Sequence, residues 1–136
     1  MFDQPYEHPC EVQFSDLDVN GQVHHLAYLR YAEAARVNAL AAQDVGPVAL
    51  ASAGRVVAVL AMDVSFAKAL SFGEAVRATA TYQFGAGKSF RCAQRIYGAN
   101  AGEAARVEVV LGLLDTQTGR LVGDPVGTLR NLAAGS

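Results

Sequence analysis

The chain has 136 residues, 51% of them hydrophobic, which is enough for one domain with a substantial core and too few for two, so a single domain over 1–136 is expected. Eleven Lys and Arg stand against thirteen Asp and Glu, a formal charge of -2, and no basic excess is left to neutralise a run of phosphates. Nucleic acid is therefore not an expected partner. The opening MFDQPYEHPC lacks the basic start and apolar run of a secretory signal. The longest apolar stretch, Pro47 to Met62, is interrupted by Ser52 and Arg55 and cannot serve as a membrane helix. A cytoplasmic location without membrane contact is expected. Cys10 and Cys92 lack the spacing of a metal site or a disulfide framework and read as buried free thiols.

In chain order, Pro9 to Phe14 alternates, with Cys10, Val12 and Phe14 on one side, and predicts a half-buried strand. The polar run Ser15 to Gly21 ends it and precedes a helix predicted over about 23–43, stopped by Gly46-Pro47. At 100° per residue, Ala27, Tyr28, Tyr31, Ala32, Ala34, Ala35, Ala39, Ala41 and Ala42 share one broad arc, and such small side chains let a helix approach a sheet closely. The opposite arc mixes Leu26, Leu29, Val37 and Leu40 with Arg30, Glu33 and Arg36, so this helix is expected to be central and mostly enclosed.

No second helix is predicted. Segments 55–66, 75–84, 89–97 and 103–114 read as strands, the first passing from a doubly covered to a one-sided region. Their connections, Gly85-Ala86-Gly87 and Gly98 to Gly102, suit antiparallel hairpins. The expected architecture is α+β, a long central helix wrapped by a five- to six-stranded antiparallel sheet whose free edges invite a homodimer. The tail from Gly127 to Ser136 is expected to fray.

Chemistry concentrates at the strand-to-helix junction, FSDLDVNGQVHH. Asp16, Asp18, Asn20 and Gly21 match the first positions of a calcium loop, but Ala27 stands where the bidentate Glu belongs. Alternatively, Asp18 and Asn20 simply tie the turn and cap the helix. In a third reading a carboxylate works beside the helix N-terminus, whose unpaired N–H groups can hold a developing oxyanion. That pair suffices for acyl transfer from a thioester, since a thiolate leaves with little acid assistance. No G-x-S-x-G elbow or Walker loop competes, and His24 and His25, about 100° apart on a helix, do not make a zinc site.

The run FSDLDVNGQVHHLAYLRYAEAAR resembles the signature of the 4-hydroxybenzoyl-CoA thioesterase-like hotdog enzymes, with its D-x-D-x-x-G loop, helix start and acidic-then-Arg end. Phe66 with Gly73-Glu74, Lys88-Ser89-Phe90, and Asp115 to Arg120 with Pro125 extend the similarity over most of the chain. It departs at Gln22, where many members carry His, and at Ala69, where Pro is common. The resemblance implies a hotdog fold assembled as homodimers or tetramers, hydrolysing an acyl-CoA substrate with no metal or cofactor. It places Asp18 on the nucleophile or general base, His24 and His25 on the substrate-binding helix start, and Lys88 near the CoA phosphates; Asp16 reads as a loop-tying residue. The alternative on the same fold is a non-catalytic module binding acyl-CoA or an acyl carrier protein.

Overall fold

The computed structural model describes residues 2–135. Strand β1 (Tyr6–Glu11) leads through a 3-10 turn at Phe14–Asp16 to helix α1 (His25–Ala41) and a short helix α2 (Pro47–Ser52). Strands β2 (Arg55–Phe66), β3 (Ala75–Phe84), β4 (Ser89–Gly98) and β5 (Gly102–Asp115) follow, and helix α3 (Pro125–Ala134) closes the chain. The five strands form one antiparallel sheet in the order β1-β3-β4-β5-β2. This is the expected α+β layout.

The core lies between α1 and the inner face of the sheet. Ala27, Ala32 and Ala35 are fully buried, and the close approach they allow lets side chains from the sheet bond the helix backbone. Gln94 Nε2 donates to the Ala32 carbonyl at 2.7 Å, and the Tyr82 hydroxyl donates to the Arg36 carbonyl at 2.9 Å. Val76, Ala78, Ala80 and Tyr82 of β3 and Ala105, Val107, Val109, Leu111 and Leu113 of β5 are buried, as their alternation predicts. Ala41 and Ala42, expected on the enclosed arc, are exposed, whereas Arg36, expected on the partly wet side, is buried.

Other expectations shift. The first strand spans Tyr6–Glu11 instead of 9–14, because its hydrogen-bond partner is β3, with Tyr6 opposite Ala80 and Glu11 opposite Ala75. Pro9 is tolerated there because β1 is an edge strand, and Phe14, expected inward, is 78% exposed. Strand β2 keeps its predicted limits but is the opposite edge, and its residues are largely exposed instead of doubly covered. Two helices were not expected. Pro47 and Pro125 each begin one, a position where the missing N–H costs nothing. The tail is thus helical through Ala134, capped by Asp124 and pinned by fully buried Leu129; Ser136 lies outside the described residues. Cys92 is buried and Cys10 only half-buried, both as free thiols.

Candidate active site at the strand-to-helix junction

The loop between β1 and α1 is built on Asp16. Its carboxylate, 2% exposed, accepts from the Gln13 amide (2.9 Å), the Tyr31 hydroxyl (2.7 Å) and the Arg30 guanidinium. Burial works to raise its pKa, but these donors outweigh it and hold the carboxyl below the usual aspartate value. The Asp16 carbonyl accepts from the His24 amide at 2.8 Å, so the same residue sets where the helix begins. Asp16 is the loop-tying residue that its position in the motif suggests.

Asp18, two residues on, is half-buried at the start of a turn that returns to a bridge between Leu17 and Val23. Its Oδ1 accepts from the amides of Asn20 (2.8 Å) and Gln22 (3.1 Å), while Oδ2 has no hydrogen-bond partner among the described residues. One oxygen orders the turn and the other is left for something else. The turn-tying reading describes Oδ1, and Oδ2 takes no part in it.

His24 is the N-cap of α1, and its Nδ1 accepts from the Leu26 amide at 3.1 Å, which leaves the ring proton on Nε2. Its ring stacks on that of His25 with centroids 4.4 Å apart. The Ala27 amide bonds the His24 carbonyl at 2.9 Å. With the His24, Leu26 and Ala27 amides taken, the His25 N–H has no partner among the described residues and remains at the positive end of the helix.

Asp18 and His24 line one open hollow of about 660 Å³ together with Phe14, Leu17, Val19 and Gly21. His25 lines a second hollow, of about 320 Å³, with Tyr28, Phe66 and Lys68. The Tyr28 hydroxyl donates to the Lys68 carbonyl (3.4 Å) and accepts from the Leu70 amide (3.1 Å), fixing the segment that follows β2 against the helix start. Lys68 and Phe66 were not singled out as site residues; nothing in local spacing marks a lysine forty positions away as a neighbour of this helix.

Lys88 lies elsewhere. Glu11, just before the junction, pairs with Ala75 at the start of β3, and Lys88 follows the far end of that ten-residue strand. Within one chain Lys88 thus follows the end of β3 opposite the one that Glu11 meets, roughly 30 Å of strand away from it at about 3.3 Å per residue. No group of three or more potential metal-ligating side chains occurs among the described residues, and no described helix is long and apolar enough to cross a membrane.

Solved structures with this architecture carry informative names. The chain is similar to a 1,4-dihydroxy-2-naphthoyl-CoA thioesterase from Synechocystis, with a TM-score of 0.82 at 18% identity over 96% of this chain and 95% of that one. It is similar to a DHNA-CoA thioesterase from Staphylococcus aureus, with a TM-score of 0.84 at 15% identity over 96% and 89%. A hypothetical protein from Staphylococcus aureus solved in complex with CoA gives a TM-score of 0.83 at 16% identity over 99% and 85%. No curated protein matches the sequence directly. At these identities the likeness establishes the hotdog fold. The family model described as the thioesterase-like superfamily matches residues 12–132, from the end of β1 into the closing helix, and with that span the chain belongs to the thioesterase-like superfamily.

Proposed function

We propose that the protein hydrolyses acyl-CoA thioesters, with Asp18 as the reactive carboxylate. The observation that carries this reading is the pairing at one junction of an uncommitted Asp18 Oδ2 with an uncommitted His25 N–H. The thioester carbonyl oxygen accepts from that N–H, and the helix end stabilises the negative charge that grows there. Asp18 Oδ2 takes the proton of an attacking water, or itself adds to the carbonyl carbon and is released by water in a second step. In either route a C–O bond forms, the C–S bond breaks, and the thiolate leaves and takes up a proton. His24 lines the same hollow as Asp18, and His25 lines the second one, with Tyr28, Phe66 and Lys68, where the acyl group would lie. Membership of the thioesterase-like superfamily and the CoA complex among similar structures favour CoA as the thiol.

Asp18→Asn keeps an oxygen for the Asn20 and Gln22 amides and removes the base. Its rate of thiol release from a panel of short, long and aromatic acyl-CoAs should fall by about 10²–10⁴-fold with little change in melting temperature. Unchanged thiol release removes Asp18 from the chemistry. A parent protein that binds acyl-CoA yet releases no thiol is instead the non-catalytic module, a reading favoured by the turn-ordering bonds to Asp18 Oδ1.

The same reading includes a homo-oligomer. Strand β2 leaves one whole edge of the sheet unpaired and exposes Val56, Val59, Leu60, Met62 and Phe66 along it, the pattern of a strand awaiting a second copy. Lys88 meets the CoA phosphates only where such an assembly brings its hairpin to another chain's junction.

A further inference from the structure

A second chamber lies well away from the junction. A cavity of about 210 Å³ sits between the later half of α1, α2 and the start of β2, walled by Val37, Leu40, Leu50, Val57 and Leu111 together with Val56 and Val59 of the unpaired β2 edge. An engineered apolar cavity of about 150 Å³ already holds benzene, so this one accommodates a ring or short chain bearing a small substituent. Besides Glu33 of α1, two arginines interrupt the apolar wall, Arg36 from α1 and Arg55 from β2.

Both have donors unspent. Arg36 is only 6% exposed, has no carboxylate within ion-pair distance among the described residues, and makes one side-chain hydrogen bond, from Nη1 to Gln94 Oε1 at 2.8 Å. A guanidinium carries five N–H donors, and the Arg36 nitrogens without a protein partner keep contact with solvent, where a ligand's oxygens can replace water. The groups around it do not supply a counter-ion: burial keeps the Tyr82 phenol and the Cys92 thiol neutral, the latter pushed up to about 12, and Glu33, the carboxylate on the cavity wall, is solvent-exposed and makes no ion pair with it. Arg55 is held through Nη1 by Asp115 at 3.1 Å, but its Nε is buried without a hydrogen-bond partner.

We infer that this cavity binds a small organic carboxylate, its apolar body in the chamber and its carboxylate on the free N–H groups of Arg36, with the Arg55 Nε–H as a further donor. The site is separate from the junction. Glu33, the first wall residue on α1, is nine residues beyond His24, about 13 Å along the helix at about 1.5 Å per residue. Its ligand is a free acid, the chemical class that thioester hydrolysis releases, and binding it requires no turnover.

Calorimetric titration of the whole protein with phenylacetate and hexanoate should give one saturable site per chain, with a Kd of about 1 mM or tighter. Phenylacetamide, which keeps the shape and loses the charge, should bind at least about tenfold more weakly, and Arg36→Met should cost phenylacetate a similar factor. Arg55→Met, at a half-exposed position, should weaken binding by a smaller factor, and it decides the matter with the amide comparison where Arg36→Met does not fold. Methyl NMR should move the signals of Leu40, Leu50 and Leu111. No saturable binding, equal affinity for acid and amide, or shifts confined to Val19 and Leu17 would overturn the assignment. These outcomes are independent of whether Asp18→Asn hydrolyses thioesters.

Discussion

Asp16 and Asp18 are two positions apart, carry the same side chain, and do different work. Asp16 is buried and spends both oxygens on Gln13, Arg30 and Tyr31, so its folded pKa lies below its unfolded one. A group shifted that way contributes stability that is complete above the unfolded value, about 3.9, and is lost as pH falls through the lower folded value. Asp16→Asn should therefore lower stability at neutral pH by about 1–3 kcal/mol, because an amide NH2 then faces donors. The melting temperature of the variant should also fall less steeply than that of the parent on acidification below pH ~4, and parallel acid profiles would contradict this role. Sequence pattern could nominate both aspartates but not divide the labour. The division depends on Tyr31 and Arg30 closing over Asp16 from the helix, contacts fourteen and fifteen residues away.

At the scale of elements, Glu74 shows how a segment with no regular structure is fixed. Buried at the turn into β3, it accepts from the amides of Ser71 (2.9 Å), Asn100 (2.8 Å) and Ala101 (2.9 Å), tying the β2–β3 connection to the β4–β5 hairpin. Burial would raise its pKa, and the three amides hold it below the ordinary value. Glu74→Gln should cost about 1–3 kcal/mol in chemical denaturation, since its NH2 would meet an N–H. Gly98→Ala should be destabilising by about 1–3 kcal/mol, because a Cβ there would run into the Glu74 carboxylate and Leu70. A denaturation midpoint unchanged in both variants would deny this tie. Strands β3, β4 and β5 were legible because their faces alternate between core and solvent. Helices α2 and α3 were not, because six and ten residues hold too few turns for a clear period, and a proline at a helix start reads locally as a break.

For the whole molecule the unpaired edge decides the most. An isolated sheet ending in a twelve-residue strand with exposed Val59, Leu60 and Met62 would be prone to pair with other edges. Met62→Glu places a charge in that strip and should shift sedimentation velocity from a dimer or larger species towards the monomer while leaving the far-ultraviolet dichroism unchanged. A parent protein that sediments as a monomer at micromolar concentration would end the proposal of a second copy.

The amino-acid order by itself determined the fold class, the long alanine-faced helix, the limits of four strands and the polar junction on which the proposed chemistry rests, because these depend on short-range periodicity and turn residues. Tertiary packing alone decided which aspartate is buried, which of the first-turn amides stays free, that Lys88 follows the end of β3 opposite the one Glu11 meets, and that Arg36 is enclosed beside an apolar chamber. Each of those depends on which distant segment closes over a residue, and spacing along the chain carries no record of that.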